Sequence, residues 1–385
     1  MFVQREITKM IRQTHDWYPI IYLGGPRQSG KTTLLKNMFP DLPYASLEDP
    51  DVRLIAEEDP RRFLNSFPEG GILDEAQRAP HLFSYLQTLV DAKKSLRFVL
   101  SGSQNFLLME KISQSLAGRV GILNLLPFAY PEIAATTDIP DHESFVWRGG
   151  YPALFEKNVP QDVFFNNYLQ TYLERDVRLL KNVGDLSQFA RFMRLCAGRT
   201  GQPLNMSTLA TDTGVSVNTI KAWLSVLEAS YLVFFLQPYH SNLNKRITKS
   251  PKLYFFDTGL LCYLLGISAP AQLDTHHYFG NIFENAIILE LYKKRISQGK
   301  RPAFWFWQDQ HNNEVDLLIE ENGTLTAIEI KSSQTYNTRL VSGLKKWQEL
   351  TGTPAERQFL VFAGTQNLLL ETGRLIPWRE AIQTI

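Results

Sequence analysis

Short apolar runs alternate with stretches of helical spacing through the first third of the chain. Ile20 to Leu23 is apolar and ends at a glycine pair, after which Lys31 to Phe39 reads as a helix. Ile72 and Leu73 follow Gly70-Gly71 and end in Asp74-Glu75, and His81 to Val90 again has helical spacing. Arg97 to Leu100 is a further strand, ending at Ser101-Gly102-Ser103, and Gly121 to Leu126 the next. Apolar strands separated by helices predict a parallel sheet covered by helices on both faces.

The pattern changes after Pro127. Val163 to Asn182 is a long helical stretch without Gly or Pro. Leu204 to Leu227 predicts two short helices around a turn at Gly214-Val215-Ser216, and the β-like segments Tyr231 to Leu236 and Lys252 to Phe256 would form a wing. From about Tyr278 it changes again. Phe283 to Arg295 is an amphipathic helix, and Phe304 to Trp307, Val315 to Ile319, Thr326 to Ile330 and Phe359 to Phe362 are strands. Three regions are therefore expected: 1–127, 128–275 and 276–385.

The chain's 385 residues suffice for two or three domains. A hydrophobic share of 44% and a charged share of 21% exclude a disordered chain. The net charge of +1 excludes a chain dominated by affinity for nucleic acid, though not a local basic face. The two cysteines, Cys196 and Cys262, form no CxxC pair, which argues against a disulfide scaffold or a cysteine zinc site. The first residues lack the apolar core of a signal peptide, and no apolar run approaches the ~20 residues that span a bilayer. The expected compartment is the cytoplasm, with no membrane partner.

Gly25-Pro26-Arg27-Gln28-Ser29-Gly30-Lys31-Thr32 fits G-x-x-x-x-G-K-[ST] between an expected strand and an expected helix, the context this motif requires. Its glycines let backbone N–H groups wrap a phosphate, and the helix N-terminus adds partial positive charge. Lys31 is expected at the β- and γ-phosphates of ATP and Thr32 at Mg²⁺, with Thr33 beside them in the same first turn. Asp74, at a strand end, is the expected partner of Thr32 in the Mg²⁺ shell, and Glu75 the general base that polarises the attacking water. Ser103, at another strand end, lies where a polar group would sense the γ-phosphate; a helix N-cap is the alternative role.

These motifs, with Leu73-Asp74-Glu75-Ala76-Gln77, Leu116-Ala117-Gly118-Arg119 and Gly149-Gly150-Tyr151-Pro152, resemble over essentially the whole chain a prokaryotic family of AAA-type ATPases. That family is related to the archaeal ATPase group and carries a C-terminal domain long described as of unknown function. The resemblance implies an α/β fold with an AAA-like P-loop core, ATP and Mg²⁺ as cofactors, and assembly into a homo-oligomer. Such assemblies often complete each site with a neighbour's arginine. Arg119 is the first candidate, in cis or in trans, with Arg148 and Arg175 behind it.

Across Leu204 to Leu227, apolar Leu209, Ala210, Val215, Ile220, Leu224 and Leu227 have helix-turn-helix spacing, and the strands that follow indicate a winged version. Ser216, Asn218, Thr219 and Lys221 would face a DNA groove. Lys221 is nevertheless the second helix's single basic residue, whereas phosphate attraction normally draws on several, so packing or protein contact stands beside DNA contact.

In the last region Asp316 and Glu329 are separated by a strand, a turn at Asn322-Gly323 and a second strand. Glu329 and Lys331 share one strand face. Asp316, Glu329 and Lys331 resemble the D…ExK signature of the restriction-endonuclease-like fold, with Glu284 as an added helical acid. The acids would bind Mg²⁺ and the lysine would serve the water. Two readings of function are open: an ATPase acting on nucleic acid through the later regions, or an ATP-dependent switch whose output is protein–protein contact and whose C-terminal domain does not cut.

Overall fold

The structure is a computed structural model that describes residues 3–103, 115–177, 185–239 and 250–385. It falls into two compact units: Met1–Phe128 with Ala229–Tyr231 and Lys294–Lys300, and the remainder.

The first unit is built on a five-stranded sheet: β1 (Ile20–Gly24), β2 (Tyr44–Ser46), β3 (Gly70–Asp74), β4 (Arg97–Ser101) and β5 (Val120–Asn124), in the order β2-β3-β4-β1-β5. Every pairing is parallel. β1 and β3 are buried throughout, as the apolar runs require of strands covered on both faces. Alternate residues of β1 serve two cores: Ile20 and Tyr22 pack with Leu73, Phe98 and Leu100, while Ile21 and Leu23 pack with Ile72, Val99 and Leu123. All five strand carboxyl ends lie on one side, where a ligand crevice forms in such sheets. The expected helices appear as Lys31–Met38 and Leu82–Ala92. Two more, Pro50–Glu58 and Pro60–Asn65, each begin at an Asp-Pro step whose aspartate caps the first turn.

The second unit contains a mainly helical segment and an eight-stranded mixed sheet. Its strands are β6 (Val233–Pro238), β7 (Lys252–Phe255), β8 (Phe304–Gln308), β9 (Glu314–Glu321), β10 (Thr324–Lys331), β11 (Gln358–Phe362), β12 (Leu368–Leu370) and β13 (Gly373–Pro377). Their order is β12-β13-β11-β10-β9-β8-β6-β7. β9 and β10 form a hairpin across Asn322-Gly323, both in the left-handed region that a two-residue turn demands, with Glu321 opposite Thr324. The Ser342–Thr351 helix packs Leu344 and Trp347 on Val315, Leu318, Ala327 and Leu360, and carries the chain to β11, parallel to β10.

The middle of the chain departs from expectation in two ways. Helices Met206–Thr213 and Val217–Ala229 do flank a left-handed Gly214. The strands expected to form a wing do pair with each other, but β6 also joins β8 in parallel at Gln237 and Pro238. They form one edge of the large sheet, which therefore runs across the boundary expected at 275. The helix expected from Val163 to Asn182 spans Gln161–Tyr172, continues as a wider turn at Leu173–Val177, and beyond that lies outside the described residues.

Candidate functional site

The P-loop joins the end of β1 to the Lys31–Met38 helix. Gly25 has φ 144°, and a Cβ there would stand 2.1 Å from the Leu125 carbonyl oxygen, so only glycine passes. Gly30 has φ 93° at the helix N-cap. From the far side, the Arg5 guanidinium donates to the carbonyls of Ser29 at 3.0 Å and Leu126 at 2.6 Å, bracing the loop. Lys31 Nζ donates to the carbonyls of Gly25 at 3.0 Å and Pro26 at 2.8 Å. Burial lowers the Lys31 pKa to about 8, against the pull of Glu75 and Asp74. Ser29 Oγ is buried without a hydrogen-bond partner among the described residues. A buried lysine held by neutral acceptors among the described residues, an orphaned hydroxyl and a helix N-terminus are a donor set that fits a polyphosphate.

Asp74 closes β3, and four neutral donors converge on its carboxylate. Thr32 Oγ1 donates to Oδ2 at 2.7 Å and Tyr44 OH to the same oxygen at 2.8 Å. Ser101 Oγ and the Glu75 backbone N–H donate to Oδ1. Burial and this bond to Asp74 both raise the Tyr44 pKa. Thr32 and Asp74 are thereby placed side by side, as the two protein groups of a divalent-cation shell must be. Glu75 follows in a left-handed conformation, φ 54°. Its Oε2 accepts from Gln77 Nε2 and lies 3.5 Å from Ser103 Oγ. Thr32, Asp74, Glu75 and Ser103 are thus brought together by the carboxyl ends of β1, β3 and β4.

Arg119 is not brought to this cluster. It precedes β5, whose Val120 lies opposite Ile20 and whose Asn124 lies opposite Gly24. Five residue steps, about 17 Å, separate it from the P-loop end of the sheet. Its guanidinium is doubly bonded to Asp91, at 2.8 and 2.7 Å, on the exterior. Of the two roles left open for Arg119, in cis and in trans, this position favours the second. In the second unit, Arg148 donates to the Leu154 carbonyl and stacks on Phe155; the side chain of Arg175 lies outside the described atoms. The Gly149-Gly150-Tyr151-Pro152 signature forms a structural joint. Asp257 Oδ2 accepts from the Gly150 N–H at 2.7 Å, Gly149 has φ 72°, and buried Tyr151 bonds Tyr168 at 2.9 Å.

A second polar cluster lies wholly within the second unit. Glu284 sits on the Phe279–Ser297 helix, next to fully buried Asn285, whose amide bonds both the N–H and the carbonyl of Phe255 and so locks the helix against the end of β7. Glu284 Oε1 accepts from Lys252 Nζ at 3.3 Å and from Tyr254 OH. Lys252 also pairs with Glu314, which accepts from Gln308 Nε2 at 3.1 Å. On β9 and β10, Asp316 Oδ2 accepts from the Ile330 N–H at 2.7 Å and from Lys331 Nζ at 3.2 Å, and Lys331 lies 2.7 Å from Glu329. Single oxygens of Glu284, Glu314 and Asp316 all lie within 4.8 Å of one another.

Charge and burial set the protonation of this cluster. Burial pushes Glu284 up to about 7, with Asp316 and Glu314 adding to that rise against the opposing pull of Lys252. Burial and then Asp316 hold Glu329 well above the usual carboxylate range. Burial also works against ionised Asp316, but Lys331 and Lys252 outweigh it and keep that carboxyl low. The four residues expected to converge do so. Glu314, Lys252 and Tyr254 join them without having been foreseen, although Glu314 shares a strand face with Asp316 by the same period-2 rule that pairs Glu329 with Lys331.

Comparison with known proteins divides the chain in three. The family model described as "AAA domain" matches residues 18–134, a domain of unknown function (DUF8612) matches 139–271, and another (DUF4143) matches 279–381. Uncharacterised proteins of Mycobacterium tuberculosis and Mycobacterium bovis are each 31% identical over 339 residues, covering 86% of this chain and 74% of theirs. A Walker-type ATPase of Pyrococcus abyssi superposes with a TM-score of 0.48 at 16% identity, over 69% of this chain and 96% of that one, a likeness too slight to add to the family assignment. Among the described residues no helix is long and apolar enough to cross a membrane.

Proposed function

The chain belongs to one family with the two mycobacterial proteins and carries an AAA-type P-loop ATPase domain, and from that premise we propose that it hydrolyses ATP to ADP and phosphate at the P-loop, with Mg²⁺. The observation that carries this reading is the 2.7 Å bond from Thr32 to Asp74, which joins the two groups of a metal shell beside Lys31 and Glu75. Gly25 to Thr33 cradle the phosphates, and Lys31 exchanges its loop carbonyls for β- and γ-phosphate oxygens. Thr32 and Asp74 would hold Mg²⁺, which would supply positive charge against the phosphates. Glu75, released from Gln77, accepts the proton of the attacking water. Ser103, beside Glu75, orients the water or the γ-phosphate. The test measures nucleotide affinity and phosphate release separately. Glu75→Gln should bind ATP and hydrolyse it slowly, and normal turnover by that variant would remove the assignment.

The converging carboxyl groups of the second unit favour a second activity, metal-assisted hydrolysis of a polynucleotide backbone at Glu284, Asp316, Glu329 and Lys331. Its support is the helix, three strands, helix, strand order from Phe279 to Phe362 together with the meeting of those side chains. Asp316 and Glu329 would hold the metal and Lys331 would serve the water. Cleavage of DNA or RNA in Mg²⁺ or Mn²⁺, abolished by Asp316→Asn, is the expected result. Absence of cleavage of every polynucleotide would leave the ATP-dependent switch, acting through protein contact within a homo-oligomer.

A further inference from the structure

Of three carboxyl groups close enough to share one cation, two are held, in this protein, by a single buried amine. The oxygens of Glu284, Glu314 and Asp316 within 4.8 Å of one another match the spread of oxygens around a hard divalent ion, whose bonds run about 2.0–2.6 Å. Lys252 Nζ bonds the first two of these residues, and its side chain is 1% exposed. The lysine reaches them from a fixed backbone: Lys252 pairs with Leu236 on β6 and bridges Pro203 on the other side. Lys331 serves Asp316 and Glu329 in the same way, so two ammonium groups face four carboxyl groups. Neither lysine reaches Glu329 Oε2, which is buried with no partner among the described residues. A Cβ on Gly343 would come within 2.9 Å of that oxygen, so the wall there is kept bare.

We propose that Lys252 is a built-in counter-cation of this pocket, a group that competes with a divalent metal for Glu284, Glu314 and Asp316 and sets how tightly the pocket takes one. This inference rests on the reading of the cluster as a metal pocket and adds a competitor to it. A buried acid cluster stripped of its ammonium is strongly destabilised, because like charges then face one another without compensation. With the lysine in place the fold is satisfied without metal. A hard cation enters only by displacing the amine, so affinity is held down by the energy of the two ion pairs it must break. The pocket is thereby closed to weakly bound cations and answers to a divalent ion arriving with further ligand oxygens, such as those of a phosphodiester.

The test is equilibrium Mn²⁺ binding to the whole chain of 385 residues, free of nucleotide, followed by the signal of the free ion. Lys252→Met keeps the length of the side chain and removes its charge. It should bind one Mn²⁺ at least about tenfold more tightly than the unaltered chain, and the gain should vanish in Lys252→Met combined with Asp316→Asn. If Lys252→Met is unstable alone, Mn²⁺ should raise its Tm by more than it raises that of the unaltered protein. Equal Mn²⁺ affinities and equal Tm shifts would overturn the role of Lys252 while leaving the metal reading in place. No Mn²⁺ at the pocket in any of the three proteins would overturn the metal reading and the competitor with it.

Discussion

The two polar clusters treat their acids and lysines in opposite ways. At the P-loop, the described partners of Asp74 are neutral donors, Thr32, Tyr44, Ser101 and a backbone N–H, while Lys31 rests on neutral carbonyls. In the cluster of the second unit both lysines are spent on carboxyl groups: Lys252 on Glu284 and Glu314, Lys331 on Asp316 and Glu329. A lysine on carbonyls gains when a phosphate arrives, because a full negative charge replaces partial ones. A lysine between carboxylates has nothing to gain from an anion. On the proposed readings this contrast sets the first site for a polyphosphate and the second for a cation.

The largest effect should come from taking away the uncommitted lysine. Lys31→Ala is expected to bring ATP turnover below detection, a loss of at least about 10³-fold, because a preorganised charge in a buried site is lost against the phosphates. Its melting temperature should stay close to that of the unaltered protein, since only two bonds to loop carbonyls go with it. Near-normal turnover by a folded Lys31→Ala protein would dissolve the contrast between the two sites.

Glu75→Gln comes next. The amide keeps the size of the side chain but accepts no proton, so turnover should fall by about 10²-fold or more while ATP affinity holds. The variant should accumulate in its ATP-bound form, and any ATP-dependent assembly should then persist on a size-exclusion column.

A smaller effect sharpens the comparison through pH. Burial puts the Lys31 pKa at about 8, below that of a free lysine. Bound phosphates favour the charged amine and raise that pKa, so above pH 8 binding must take up a proton. ATP affinity should accordingly fall as pH rises through about 8, approaching tenfold per further pH unit. Titrations with ATP between pH 7 and 9 read this directly. The slope should persist in Glu75→Gln and disappear in Lys31→Ala.

The sequence made the first site more legible than the second, for a physical reason. Gly25 to Thr32 is one continuous turn whose geometry is set by adjacent residues, and Asp74-Glu75 is marked by the apolar strand before it. Tyr44 also serves Asp74, but it lies on a three-residue strand too short to show a period. The second pocket draws on β7, β9, β10 and a helix, positions that periodicity assigns to faces but not to neighbours. Glu284, Asp316, Glu329 and Lys331 could be read because two adjacent strands carry three of them. Lys252 could not, because its strand reads as half of a local wing. Its place follows from β6 pairing with β8, a long-range register that no local pattern records. Arg119 shows the converse: a motif beside a glycine was legible, but which end of the sheet it occupies depends on β5 running parallel to β1.

The smallest effect is expected at Arg119. Arg119→Ala should change ATP turnover by less than about twofold in dilute protein, because an exposed ion pair contributes little and this one lies at the sheet end away from Lys31. The comparison of sites would break if the loss were tenfold or more. An arginine that stabilises transition-state charge is worth about 10³-fold, and from this position only a second copy of the chain could receive it. Mixing decides between the two. Lys31→Ala subunits cannot hydrolyse ATP but keep Arg119, so they would restore turnover to Arg119→Ala subunits only if the arginine is lent across an interface. A small loss with no rescue at any mixing ratio leaves Arg119 as the partner of Asp91 and assigns completion of the ATP site to another residue.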